Sequence, residues 1–364
     1  MESIKDKLII RYAERVIERA RNNPEKVVMN ANSIKDKQFL WSIASMLGSI
    51  KKYKDPSKTD RALEAIDLGS IYENAEKLEK EAQSKPDGNE LAYQDFLVRS
   101  LLHYFKNSFF KWVNAPECPQ CHQNGENLIR KGILDPPSPN PHEISSIEDY
   151  FCKDCQIRVT FPRYNDCVKL LETRSGRCGE WVNCFLLILC AVLGEETFVR
   201  YVWNKEDHVW CEYYSNALKR WVHLDPCEAA FDEPSIYCEN WGKKMSWCFG
   251  FGETYIIDLS AKYITKPDKQ INKKNFVSSL ENVNRFIFFL NQKLLLQYFQ
   301  EKIDCKPISD DEKMQELYHS IILIHNKELK SLRQRLAPTS SENVLKGRQS
   351  GSSEWVKARG EDGA

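Results

Sequence analysis

The chain has 364 residues, and its 52 basic and 52 acidic side chains leave a formal net charge of zero. That balance lacks the basic excess of phosphate-binding proteins and argues against nucleic acid as the main partner. At 42% apolar and 29% charged residues the composition is globular, enough for one large core with appendages or for two to three domains.

The N-terminus is charged throughout and lacks the apolar core of a secretory signal, and no window approaches roughly 18 uninterrupted apolar residues. Ile4, Leu8, Tyr12, Val16 and Ile17 recur at helical spacing, and 90–113 is a second helical stretch, so 1–112 reads as an N-terminal helical region. Residues 113–162 carry two CxxC pairs around LDPPSPNPHE, whose prolines forbid regular structure. In 163–262 a short helix (VKLLE) leads to a Gly-flanked cysteine. A helix over 179–193 follows, then strand-like runs FVRYVWN, HVWCEYY, KRWVHLD and TYIID. Residues 263–336 are helical again, from LENVNRFIFFLNQKLLLQYF and the stretch 309–335. The Gly/Ser-rich tail 337–364 reads as flexible. The fold class is α+β: a mixed helix-and-strand core, a module carrying four cysteines, and helical flanks.

Thirteen cysteines without a secretory signal point to metal binding or catalysis rather than disulfides, and to the cytoplasm or nucleus. Cys118-x2-Cys121 and Cys152-x2-Cys155 stand 30 residues apart. Each CxxC turn aims two thiolates at one point. Two turns make a tetrahedral site without an open position, which predicts one structural zinc. A redox dithiol would need a βαβ context and would leave Cys152 and Cys155 unexplained. His122 and His142 read as loop residues.

Cys178 sits differently, in ETRSGRCGEW. A thiol wanted for packing belongs inside the following apolar run, where Cys184 and Cys190 lie. Cys178 precedes the helix, where the dipole favours a thiolate, and Gly176 and Gly179 leave room for a substrate carbonyl. In DHVWCEYYSNALKRWVHLD, alternation puts His208, Trp210 and Glu212 on one face of the first strand, and Trp221, His223 and Asp225 share a face of the second. A hairpin centred on Asn216-Ala217 sets His208 directly across from Asp225, Trp210 from His223 and Glu212 from Trp221. Asp225 then orients the imidazole, as in a catalytic triad. The alternative is a satisfied polar pair at a sheet end.

RYNDCVKLLETRSGRCGEWVN, RYVWNKEDHVWCEYYS, RWVHLDPCE and NWGKKMSWCFGFG closely resemble the cytosolic peptide:N-glycanases, of the transglutaminase-like superfamily, over roughly residues 90–262. The resemblance implies an amidase that cuts between asparagine and the first N-acetylglucosamine of N-glycans on misfolded glycoproteins, in support of endoplasmic-reticulum-associated degradation. It implies Cys178 as nucleophile, His208 as base and Asp225 as its orienter. Trp112 corresponds to an oxyanion donor, and Arg200, Glu212, Trp221 and Glu228 to substrate handling or site integrity. For Trp112 a core aromatic, and for Arg200 and Glu228 a buried ion pair, explain the residue equally well. The implied partner is the ubiquitin-receptor shuttle protein of proteasomal delivery and nucleotide excision repair, with the 4–17 stripe and the helix near 284–299 as docking candidates. No recognisable ubiquitin-pathway module precedes the core. Transglutamination, peptide hydrolysis and a binding-only scaffold are the rival readings.

Overall fold

A computed structural model of the chain describes residues 34–84, 90–304, 311–334 and 347–363; the 4–17 stripe lies outside them. The apolar run from Trp181 has no polar face to give to solvent, so its helix must lie at the centre of the fold. The elements in chain order build around it. Helices α1 (Ile34–Ala44), α2 (Pro56–Ala65), α3 (Leu68–Gln83) and α4 (Tyr93–Tyr104) come first. The predicted helix over 90–113 is shorter, because a π-turn at Phe105–Phe109 leads into the two-residue strand β1 (Lys111–Trp112).

Strands β2 (Leu128–Leu134), β3 (Ile144–Cys152) and β4 (Ile157–Tyr164) form an antiparallel sheet of their own. The proline-rich loop links β2 to β3, which is why the two CxxC pairs stand so far apart in sequence. Next come α5 (Cys167–Thr173), β5 (Ser175–Gly176) and the central α6 (Cys178–Leu193). Arg174 adopts a left-handed conformation (φ 46°) that ends α5 and turns the chain into β5, parallel to β1.

The main sheet is antiparallel, in the order β11-β10-β6-β7-β8-β9. Its strands are β6 (Val199–Asn204), β7 (His208–Ser215), β8 (Arg220–Asp225), β9 (Ala230–Phe231), β10 (Cys248–Phe251) and β11 (Ile256–Asp258). The short α7 (Ser260–Tyr263) follows, then α8 (Leu280–Asp304), α9 (Asp311–Gln334) and α10 (Ser353–Ala358). Val209, Cys211, Tyr213, Val222 and Leu224 share one buried cluster with the α6 side chains. Trp210, Trp221, Tyr237, Trp241 and Tyr263 form a second, aromatic cluster.

One expectation is corrected. The tail 337–364 is not flexible throughout: 347–363 packs against the core, with Arg348, Ser350 and Glu361 buried. Its charged and tryptophan side chains find partners there, which Gly/Ser content does not reveal. The apolar residues of the 284–299 helix (Phe286, Ile287, Leu290, Leu294) share one buried cluster with Phe39, Leu40 and Ile43 of α1 and with Phe249, Phe251 and Ile256 of the sheet, while Phe288 and Trp41 are exposed.

Candidate active site and metal-binding cluster

The turn carrying Cys178 is built by charge. Arg177 caps α6, and its backbone N–H donates to Glu180 Oε2 at 3.0 Å. Glu180 also accepts from Arg163 of β4 at 2.5 and 2.8 Å, while Arg177 donates to Glu148 of β3 at 2.7 Å through both terminal nitrogens. The first turn of α6 is thereby fastened to the module of four cysteines. Gly176 is required for packing rather than for substrate approach: a Cβ there would lie 2.4 Å from Glu180 Cβ. Gly179 has nothing within 4 Å of such a position, so the space beside Cys178 opens there.

Cys178 is the first residue of α6 and half-buried, whereas Cys184 and Cys190 are buried. Burial pushes the Cys178 thiol up, and Arg348 opposes that shift.

The hairpin register differs from the predicted one. Cys211 pairs with Leu224 and Glu212 with His223, so Trp210, not His208, lies across from Asp225, and Tyr214, not Glu212, across from Trp221. Ser215 Oγ accepts the Leu218 N–H at 3.1 Å and Lys219 adopts a positive φ of 52°, which makes the loop Asn216–Lys219 and moves its centre along the chain. Because the pairing shifts by an even number, every side chain keeps its face. His208 reaches Asp225 on the diagonal, with its outer nitrogen: Nε2 and Oδ2 are 2.9 Å apart. Both residues are buried.

Asp225 also accepts the Tyr237 hydroxyl at 3.0 Å (Oδ2) and the Cys227 N–H at 2.9 Å (Oδ1). Burial alone would raise this carboxyl, but its bond to His208 and the charges around it hold it well below the usual carboxylate range. Neither Tyr237 nor His223 was assigned a role from sequence. Tyr237 lies in an irregular turn without a signal; His223 was visible on the right face but without a partner. His223 Nε2 is 2.7 Å from the Tyr237 hydroxyl, and its Nδ1 accepts from the Glu233 N–H at 3.3 Å.

Burial lowers His223 from 6.5 to about 4 and lowers His208 as well. The unfolded chain therefore binds these protons first, so the His223 contribution to stability is complete above pH 6.5 and falls as pH drops toward 4, and His208 acts in the same direction. Melting temperature is expected to decline through that window, and His223→Gln to flatten the decline in a calorimetric pH series.

Arg200, Glu212 and Trp221 form one closed network rather than an open subsite. Arg200, fully buried, pairs with Glu212 and with Glu328 of α9 at 2.6 and 3.0 Å, and its guanidinium lies 4.1 Å from the Trp221 ring centroid. Lys262 and Tyr263 complete the shell of Glu212. Burial would raise Glu212, but Arg200 and Lys262 bring it down to about 2. Trp112 pairs with Gly176 across β1 and β5, and its indole N–H donates to Asn114 Oδ1 at 2.8 Å. Glu228 accepts the Gln349 and Ser350 N–H groups at 3.0 and 2.9 Å, so it anchors the C-terminal segment.

The sulfurs of Cys118, Cys121, Cys152 and Cys155 all lie within 4.8 Å of one another, and this cluster can hold a metal ion. Cys121 Sγ and Cys152 Sγ are 3.7 Å apart, against about 3.8 Å expected for two thiolates on a tetrahedral ion with 2.3 Å bonds. His122 and His142 face Glu117 and Asp166 instead. No helix among the described residues is long and apolar enough to cross a membrane.

The transglutaminase-like superfamily model matches residues 129–226, and the Rad4 transglutaminase-like domain model matches 202–321. A Debaryomyces hansenii protein named peptide-N(4)-(N-acetyl-beta-glucosaminyl)asparagine amidase is 52% identical over 98% of this chain and 96% of its own. A protein of that name from Candida albicans is 43% identical over 99% of this chain and 95% of its own. Among solved structures, Rad4–Rad23 crosslinked to an undamaged DNA aligns at a TM-score of 0.44 and 8% identity, over 84% of this chain and 58% of that one.

Proposed function

The chain belongs to the peptide-N(4)-(N-acetyl-beta-glucosaminyl)asparagine amidase family of the transglutaminase-like superfamily, and on that premise we propose that it hydrolyses the asparagine–glycan amide through Cys178, His208 and Asp225. The observation that carries this reading is the His208–Asp225 bond. It commits Nε2 to the carboxylate and leaves Nδ1 as the proton acceptor. Cys178, at the start of α6 beside the open Gly179, supplies the thiol.

The thiol gives its proton to His208 as sulfur attacks the asparagine side-chain carbonyl. The tetrahedral oxyanion collapses, the C–N bond breaks, and His208 returns the proton to the departing glycosylamine. Water, deprotonated by His208, then cleaves the Cys178 thioester. Sulfur leaves as the thiol, and aspartate replaces asparagine.

The four-cysteine cluster binds one zinc ion in this reading. Four thiolates close its coordination, so zinc supplies rigidity to the module and no open position for chemistry. The substrate is misfolded glycoprotein bound for degradation, and the place of action is the cytoplasm, with the nucleus a second compartment. The ubiquitin-receptor shuttle protein docks on the α1/α8 pair; the exposed Trp41 and Phe288 support that assignment.

The test is to incubate the protein with denatured and native N-glycoprotein and follow mass at the asparagine. Loss of the whole glycan with a gain of about one mass unit, the mark of amide hydrolysis to an acid, is expected. Transfer of an amine to the same carbonyl would indicate transglutamination, and an unchanged glycan would reject the amidase.

A further inference from the structure

The C-terminal segment 347–363 lies against the reaction centre, held from several sides. Glu228 takes its two backbone N–H groups, Asn114 Oδ1 accepts the Ser352 N–H at 3.1 Å, and Arg359 donates to Asp207 at 2.9 Å. Within it, the Arg348 guanidinium lies 5.2, 4.9 and 4.6 Å from the ring centroids of Trp112, Trp241 and Trp355. Its Nη1 donates to Glu361 at 2.7 Å and its Nε to Ser350 at 3.0 Å. Its Nη2 lies 3.4 Å from His208 Nδ1, the ring nitrogen that Asp225 leaves free.

Glu361 is shared by three cations, Arg348, Lys243 and Arg359, of which only Arg359 has a second carboxylate, Asp207, among the bonds at this site. Asp225, buried behind His208, is a third carboxylate that feels the Arg348 charge, and the guanidinium itself is caged by tryptophans, where shielding by water is weak. It stands beside the ring nitrogen that takes the Cys178 proton in the reaction proposed above.

We propose that Arg348 is a further functional residue of the active site: the fixed cation that stabilises the Cys178 thiolate and the oxyanion formed from it, delivered by the C-terminal segment. This rests on Cys178 being the nucleophile. The other groups acting on Cys178 are Glu180 on its own helix, Asp207 ahead of β7, Arg163 of β4, Tyr201 of β6 and Cys227 after β8. Burial raises the thiol, and Arg348 is the strongest charge pulling the other way.

The test uses the full chain with Arg348→Gln and Arg348→Lys. Alkylation of Cys178 by iodoacetamide is followed across pH by peptide mass, and glycopeptide turnover is measured alongside. Arg348→Gln is expected to move the alkylation midpoint up by about one pH unit and to lower kcat about 10- to 100-fold with little change in KM. Arg348→Lys is expected to stay within about 0.3 units of the wild-type midpoint and to keep most of kcat, because it keeps the charge. An unmoved midpoint in the Gln variant overturns the proposal in favour of a brace. A lowered midpoint or raised rate overturns it in favour of occlusion. Should the Gln variant not fold, the Lys variant decides: a midpoint shift as large as one unit rejects the charge role. The midpoint is read without substrate, so an inactive wild type would reject the amidase and leave the shift to be judged separately.

Discussion

Cys178→Ala is expected to lower glycan release by roughly 10⁴-fold or more while the protein keeps its fold, its metal content and its melting temperature to within a few degrees. The small structural effect follows from position: Cys178 is half-buried at a helix start, so losing its sulfur opens no closed cavity. The large kinetic effect follows from selection among thiols. Outside the four-cysteine cluster, Cys178 is the one described cysteine that is not buried. Burial pushes Cys190 up to about 12 and Cys184 well above its ordinary value, which leaves both as packing groups. Iodoacetamide should therefore label Cys178 well before Cys184 or Cys190, and labelling should track loss of activity one for one. Activity within tenfold of wild type in the alanine variant would move the nucleophile elsewhere and leave the His208–Asp225 pair as a structural bond.

That pair shows how far sequence carried and where it stopped. Alternation along β7 and β8 puts His208 and Asp225 on one face, and face is what a period of two encodes. Register is not encoded that way. It depended on Ser215 Oγ capping the loop and on Lys219 turning left-handed, neither of which hydrophobic pattern reveals. The four-cysteine cluster was legible because CxxC spacing is a local geometric device. Gly176 was legible as a small residue but not for its reason, since the Glu180 side chain it accommodates is fixed by Arg163, far away in sequence. The roles of Glu228 and Trp112 stay open in the sequence, because their partners, Gln349, Ser350 and Arg348, belong to a segment whose Gly and Ser content reads as flexible. Arg348 itself carries no motif; only the folded chain brings it to His208.

Emptying the four-cysteine cluster is expected to reduce turnover at least about 100-fold and to lower the melting temperature, with Cys178 chemically untouched. The route runs through charge. Cys152 ends β3, the strand that carries Glu148, and Arg163 stands on the neighbouring β4. Glu148 grips Arg177, and Arg163 grips Glu180, the residues that begin the helix of Cys178. The Glu148 and Glu180 side chains are each 5% exposed, so displacing the module strands buried carboxylates, a loss of about 3–5 kcal/mol for one broken buried pair. Cys152→Ser is the cleaner variant than chelation, because it removes a ligand and leaves the sheet its backbone bonds. Metal content by mass spectrometry should fall from one ion per chain, and turnover and melting temperature should fall with it. Restoring zinc to chelated wild-type protein should bring both back. Full turnover from metal-free protein would mean that the turn at Cys178 holds itself, through the Arg177–Glu180 bond within α6 alone.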